Sequence, residues 1–229
     1  MRYKTSAMPF QIANQKQIVF ALLLSGFLGC FLAYGFVPVS YRLFSGILGP
    51  MSQLGFPFLA LLFYFSLPDL PCPVFSPPST KRLLTLCVLP VLISAAFGAT
   101  KNVPLEFSSS SRLLWNQVAW AWILGPWGEE LLFRGWLNSL LNRLNKNTFL
   151  STAPLYPLSV WGTAIAFSLW HIQNYEPGQL PFLIFQLAYT FFVGIWLGFL
   201  KWQTGKLWPC VLAHLILNLA ADWKLWFML

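Results

Sequence analysis

Nothing constrains this chain's fold more than the apolar runs of about 20 residues that recur along nearly its whole length. A run of that length matches the hydrocarbon layer of a bilayer when it is helical. There, every backbone N–H and C=O must find its partner inside the protein. Composition points the same way. Of 229 residues, 57% are hydrophobic and 9% charged, whereas a soluble domain carries roughly 25% charged residues to cover its surface. The expected fold class is all-α: a polytopic transmembrane helix bundle of about seven spans, with room for an eighth, in one multi-pass membrane domain.

The spans are expected at 18–37, 46–67, 83–99, 113–141, 157–173, 181–200 and from Leu207 onward. The first is too long for a signal-peptide core and lacks a small-residue cleavage site, so it reads as uncleaved. Prolines recurring through 68–78 exclude a helix there, and 101–111, 142–154 and 176–178 read as loops. Gly194 and Gly198 form a small-xxx-small pair suited to close helix packing.

The net charge is +8, yet the basic residues stand singly or in pairs between apolar runs. That pattern sets topology and gives no nucleic-acid surface. With the N-terminus inside, Arg2, Lys4, Lys16, Lys81, Arg82, Arg143, Lys146, Lys201 and Lys206 face the cytoplasm, against Arg42, Lys101, Arg112 and Lys224 outside. The expectation is a cell (inner) membrane protein with a cytoplasmic N-terminus. Cys30, Cys72, Cys87 and Cys210 fit neither a disulfide framework nor metal-ligand spacing.

Within the fourth run lies Trp127-Gly128-Glu129-Glu130-Leu131-Leu132-Phe133-Arg134-Gly135. Ionisable groups in hydrocarbon are costly and mark functional positions by default. Two of the chain's six acidic residues sit here, which outweighs the plainer reading of a buried ion pair with a spare acid. Glu130 and Arg134, four apart, can pair on one helix face, while Glu129 points about 100° away and stays available for chemistry. Gly125-Pro126, one turn earlier, is expected to kink the helix beside a water-accessible pocket.

Both histidines fall in apolar runs: His171 in the fifth, and His214, four residues before Asn218, in the seventh. One such histidine is more often structural than catalytic; two beside a Glu-Glu pair are harder to dismiss. Counted at about 1.5 Å per residue, Glu129, His171, His214 and Asn218 fall in one slab near mid-membrane, each roughly 12–21 Å from an end of its span. A carboxylate and an imidazole can together deprotonate water, and a second imidazole with an amide can hold the resulting oxyanion. Glu129, His171 and His214 could alternatively ligate a divalent metal such as zinc. There is no His-Glu-x-x-His pattern to support that assignment. Both chemistries stay open on the residues alone.

Glu129-Glu130-x-x-x-Arg134, then Phe167-x-x-x-His171, then His214-x-x-x-Asn218, in order on separate spans, resembles the CAAX protease and bacteriocin-processing (CPBP, or Abi) family, which includes the type II CAAX prenyl endopeptidases. The resemblance covers roughly residues 113–221, leaving 1–112 as accessory spans. It implies an intramembrane glutamic-type endopeptidase with no expected cofactor. In that scheme Glu129 and His171 activate water, His214 and Asn218 form the oxyanion hole, and Glu130 and Arg134 support them. The implied partners are the lipid bilayer and a membrane-associated or sorting-signal-bearing protein or peptide. The short chain reads as prokaryotic, which argues against a prenylated substrate, and the oligomeric state is open. Two other classes compete: an immunity or scaffold protein of the same fold, and an ion or proton transporter, for which matched halves and repeated broken helices are missing.

Overall fold

The computed structural model describes residues 15–32, 55–66, 80–100, 122–144, 158–175 and 177–226, and every regular element among them is a helix. These are α1 (Gln15–Phe31), α2 (Gly55–Ser66), α3 (Thr80–Thr100) and α4 (Gly125–Glu130). A π-helical turn (Leu131–Leu137) carries α4 into α5 (Asn138–Leu144). Then follow α6 (Leu158–Trp170), a 3-10 turn (His171–Asn174), α7 (Leu180–Thr204), α8 (Trp208–Ala221) and the short α9 (Trp223–Trp226). The loop expected at 142–154 starts later, since α5 runs on to Leu144; its remainder, the proline-rich 68–78 stretch, the loop at 101–111, and Arg2, Lys4, Arg42, Lys101, Arg112 and Lys146 lie outside the described residues.

Local chemistry places the helix ends. Pro181 and Pro209 stand in the first turns of α7 and α8, where a missing N–H costs nothing. Gly205 ends α7 at φ 65°, donating its N–H to the Lys201 carbonyl at 2.8 Å. Pro90 is carried inside α3.

α6 is the hub, packed between α1 and α7. Glycines make the approach possible. A Cβ on Gly194 would lie 2.9 Å from the Ala164 Cα, and one on Gly29 would lie 2.6 Å from the Ala166 carbonyl oxygen. Gly198 abuts Val160 in the same way, so the Gly194/Gly198 pair packs α7 against α6 as its spacing predicts. α2 covers α4 and the π turn, with the Phe56 ring over Gly128 and the Tyr64 ring over Gly135. Leu32, Phe56, Leu132, Phe133, Phe167, Leu197 and Leu217 share one core.

The polarity of the bundle is inverted relative to a water-soluble protein. Ser25, Ser94, Glu130, Arg134, Thr163 and His214 are buried, while Phe20, Leu23, Phe27 and Phe31 form an outward stripe on α1, with Phe27 67% exposed. Such a surface suits acyl chains. The buried hydroxyls of Ser25, Thr163 and Thr190 bond to carbonyls four residues back, at 2.6, 2.8 and 2.9 Å, the usual way to satisfy a hydroxyl on an apolar helix. Among the described residues α7, with 25 residues and mean hydropathy 1.9, is the one helix long and apolar enough to cross a membrane. Stretches of α1, α2, α3 and α8 are apolar but shorter.

Candidate active site

The site forms where α4 and the π turn meet α6, α7 and α8. Leu124 keeps helical angles (φ −73°, ψ −41°) going into Gly125-Pro126. Departures from α geometry flank the glutamates on both sides, as π-helical geometry at 122–124, directly before Gly125-Pro126, and again at Leu131–Leu137. Such turns widen a helix by one residue and are frequent at functional sites.

Glu130 and Arg134 pair as the four-residue spacing predicts. Arg134 Nη1 donates to Glu130 Oε1 at 2.9 Å, and both side chains are 0% exposed. Arg134 Nη2 reaches the Gly194 carbonyl at 3.2 Å, and its guanidinium lies 4.4 Å from the centre of the Phe167 ring. The arginine thereby ties the π turn to both α6 and α7.

His214 joins the same carboxylate from α8. Its Nδ1 is 2.8 Å from Glu130 Oε1. That oxygen already accepts from Arg134, and a carboxylate has no proton to give, so Nδ1 is the donor. The other ring nitrogen, Nε2, lies 3.7 Å from Glu129 Oε2. His214 therefore stands between the two glutamates, an arrangement the sequence did not reveal. Glu129 is the more open of the two, at 18% side-chain exposure, and Trp170 Nε1 donates to its Oε1 at 3.3 Å.

His171 is not inside the α-helix, as the expected 157–173 span has it. α6 ends at Trp170, and His171 opens the 3-10 turn that leads to the exposed Asn174 and Tyr175. The physical reason is local: the polar run Gln173-Asn174-Tyr175 gives an apolar helix no further face to bury. His171 Nδ1 lies 2.8 Å from the Phe167 carbonyl, and its ring meets the Phe167 ring edge to face at 4.9 Å. The same Phe167 ring meets His214 at 5.6 Å, so one aromatic side chain spaces both imidazoles and the arginine. Asn218 is half-buried on the His214 face of α8, one turn on.

Glu129, His214, Glu130 and Arg134 are thus linked in that order, His171 joins them through Phe167, and Asn218 follows His214 along α8. Trp170 and the Gly194 carbonyl belong to the site but were not singled out by sequence. A tryptophan beside a histidine in an aromatic-rich chain carries no motif signal. For metal binding, no three His, Cys, Asp or Glu side chains among the described residues stand together as a metal-holding group. Glu129, His171 and His214 as placed do not fit a ligand set.

Residues 111–220 match the family model described as Rce1-like, type II CAAX prenyl endopeptidase Rce1-like. The matched stretch contains every residue of the site. No curated protein and no solved structure matched the chain.

Proposed function

Because residues 111–220 match the Rce1-like family model of type II CAAX prenyl endopeptidases, we propose that this chain is a membrane protein of that family and an intramembrane glutamic-type endopeptidase. The reading places the site in a polytopic bundle of about seven spans, with the N-terminus cytoplasmic in the inner membrane. Its substrate is a membrane-associated or sorting-signal-bearing protein or peptide. Residues 113–221 carry the chemistry and the earlier spans shelter it.

The observation that carries the reading is His214 held between two carboxylates, at 2.8 Å from Glu130 and 3.7 Å from Glu129. A binding module or scaffold has no need of that arrangement. Glu129, the more open carboxylate, takes a proton from water, aided by His171. The hydroxide adds to the scissile carbonyl carbon, the C–N bond breaks, and Glu129 returns the proton to the leaving amine. The products are a carboxylic acid and an amine, which exchange a proton to leave as carboxylate and ammonium. Asn218 and His214 face the oxyanion. With Nδ1 donating to Glu130, His214 donates to the oxyanion from Nε2 only when both ring nitrogens carry protons. Glu130 and Arg134 orient His214 in the way a buried acid orients the histidine of a hydrolytic triad.

The test compares membrane and secreted proteomes of cells carrying the wild type or Glu129→Gln. A precursor should accumulate in the variant, and purified wild-type protein should trim it in the presence of a chelator. Trimming that stops with chelator and returns with zinc makes the enzyme a metalloprotease. No accumulating precursor, with the variant stably inserted, leaves a non-catalytic immunity or scaffold role.

A further inference from the structure

Two hydrogen bonds join α4 and the turn before it at 122–124 to α8 and its C-cap residue Asp222, and they follow one antiparallel register. Eight residues before Glu130 is Trp122, and eight residues after His214 is Asp222. Just as Glu130 is bonded to His214, Trp122 Nε1 donates to Asp222 Oδ2 at 3.0 Å. The two helices are therefore fastened twice, about 12 Å apart at 1.5 Å per residue. On α8 the spacing His214, Asn218, Asp222 keeps all three on one face. Midway between the two bonds, counted along the chain, are Pro126, which is fully buried, and Asn218.

The outer fastening is itself built in. Trp122 is 8% exposed. Asp222 donates its own N–H to the Asn218 carbonyl at 2.9 Å. Beyond it, Trp223 Nε1 donates to the Ala95 carbonyl at 3.1 Å and Lys224 Nζ to the Ala99 carbonyl at 2.7 Å, tying this end of α8 to α3. Tyr189 of α7 and Ser94 of α3 share a hydrogen bond at 2.5 Å, and Tyr189 stacks on Phe97 of the same stretch at 4.3 Å.

We infer that Trp122 and Asp222 are positioning residues for His214 and Asn218: their bond fixes the rotation and depth of α8 against α4. Without it, the bond His214 makes to Glu130 loses its counterpart eight residues along α8, and the rotation of α8 against the glutamates is set less tightly. Rotation of α8 carries His214 Nε2 away from Glu129, now 3.7 Å distant, and moves Asn218 on the same face with it. The inference rests on the protease reading for its effect on rate, but its effect on His214 does not.

The experiment uses the full chain in proteoliposomes, as wild type, Trp122→Phe, Asp222→Ala, Asp222→Asn and the Trp122→Phe/Asp222→Ala double variant. The chain has two histidines, so imidazole 15N labelling gives two resolvable rings. The Nδ1 signal of His214 should shift or broaden in Trp122→Phe and Asp222→Ala, stay in place in Asp222→Asn, and leave His171 unmoved. On the precursor found with Glu129→Gln, kcat should fall at least about tenfold with KM nearly unchanged, as for a small misplacement of a catalytic group. The double variant should be no worse than either single one. An unmoved His214 signal in stably inserted Trp122→Phe overturns the inference. If even the wild type trims nothing, the protease reading fails while the imidazole signals still decide the positioning role.

Discussion

Oε1 of Glu130 accepts from Arg134 Nη1 at 2.9 Å and from His214 Nδ1 at 2.8 Å, so one buried oxygen joins three helical segments of the chain. Neither Glu130 Oε2 nor Arg134 Nε has a hydrogen-bond partner among the described residues. The load on Oε1 is correspondingly large.

Removing one side of that pair leaves an uncompensated buried charge. Glu130→Gln or Arg134→Met should each lower stability by about 3–5 kcal/mol. The Glu130→Gln/Arg134→Met double variant should lose less than the two losses added. Denaturant unfolding in detergent micelles, arranged as a double-mutant cycle, checks this; additive losses would contradict it.

Glu129 plays the opposite part. Glu129→Gln should abolish turnover, with a loss of about 10²–10⁴-fold or more for a missing general base. Unfolding should change little, because Gln can still accept from Trp170 Nε1. Equal damage to stability and activity would make Glu129 structural.

Trp170→Phe keeps a ring against Phe56, now stacked at 5.3 Å, and against Phe133 at 5.8 Å, but loses the N–H aimed at Glu129. A hydrogen bond to a charged group contributes about 1.5–3 kcal/mol, so kcat should fall at least about tenfold. Steady-state kinetics on the identified precursor reads this directly, with KM as the internal control.

Gly194→Ala inserts a methyl where the Ala164 backbone lies 2.9 Å away. Overpacking of this kind costs about 1–3 kcal/mol. Thermal unfolding should show the loss, and activity should drop with it, since the Gly194 carbonyl holds Arg134.

Phe27 points out of the bundle, so Phe27→Arg tests the lipid-facing surface. A charge at mid-span costs roughly 2.5–3.5 kcal/mol of insertion. Carbonate extraction should release more of the variant than of wild type; equal retention would remove α1's outer face from the bilayer.

What the sequence by itself determined was the helical class, the inverted polarity and the contacts internal to one helix. Apolar runs leave only helices, and four-residue spacing is enough to pair Glu130 with Arg134. The Gly194/Gly198 spacing announced a close approach, though not that Ala164 and Val160 would fill it. The ordered motifs placed the resemblance, and the family match over 111–220 agrees with it. Only the tertiary structure decided which carboxylate holds His214, that Trp170 reaches Glu129, and that Trp122 meets Asp222. These contacts join residues 41 to 100 positions apart, and helical periodicity says nothing about how one helix is rotated against another. The π turn at Leu131–Leu137 shifts that rotation further, because a widened turn moves every later side chain off the 3.6-residue period. Spacing within a helix is a local property written in the chain; the meeting of two helices depends on packing all of them at once.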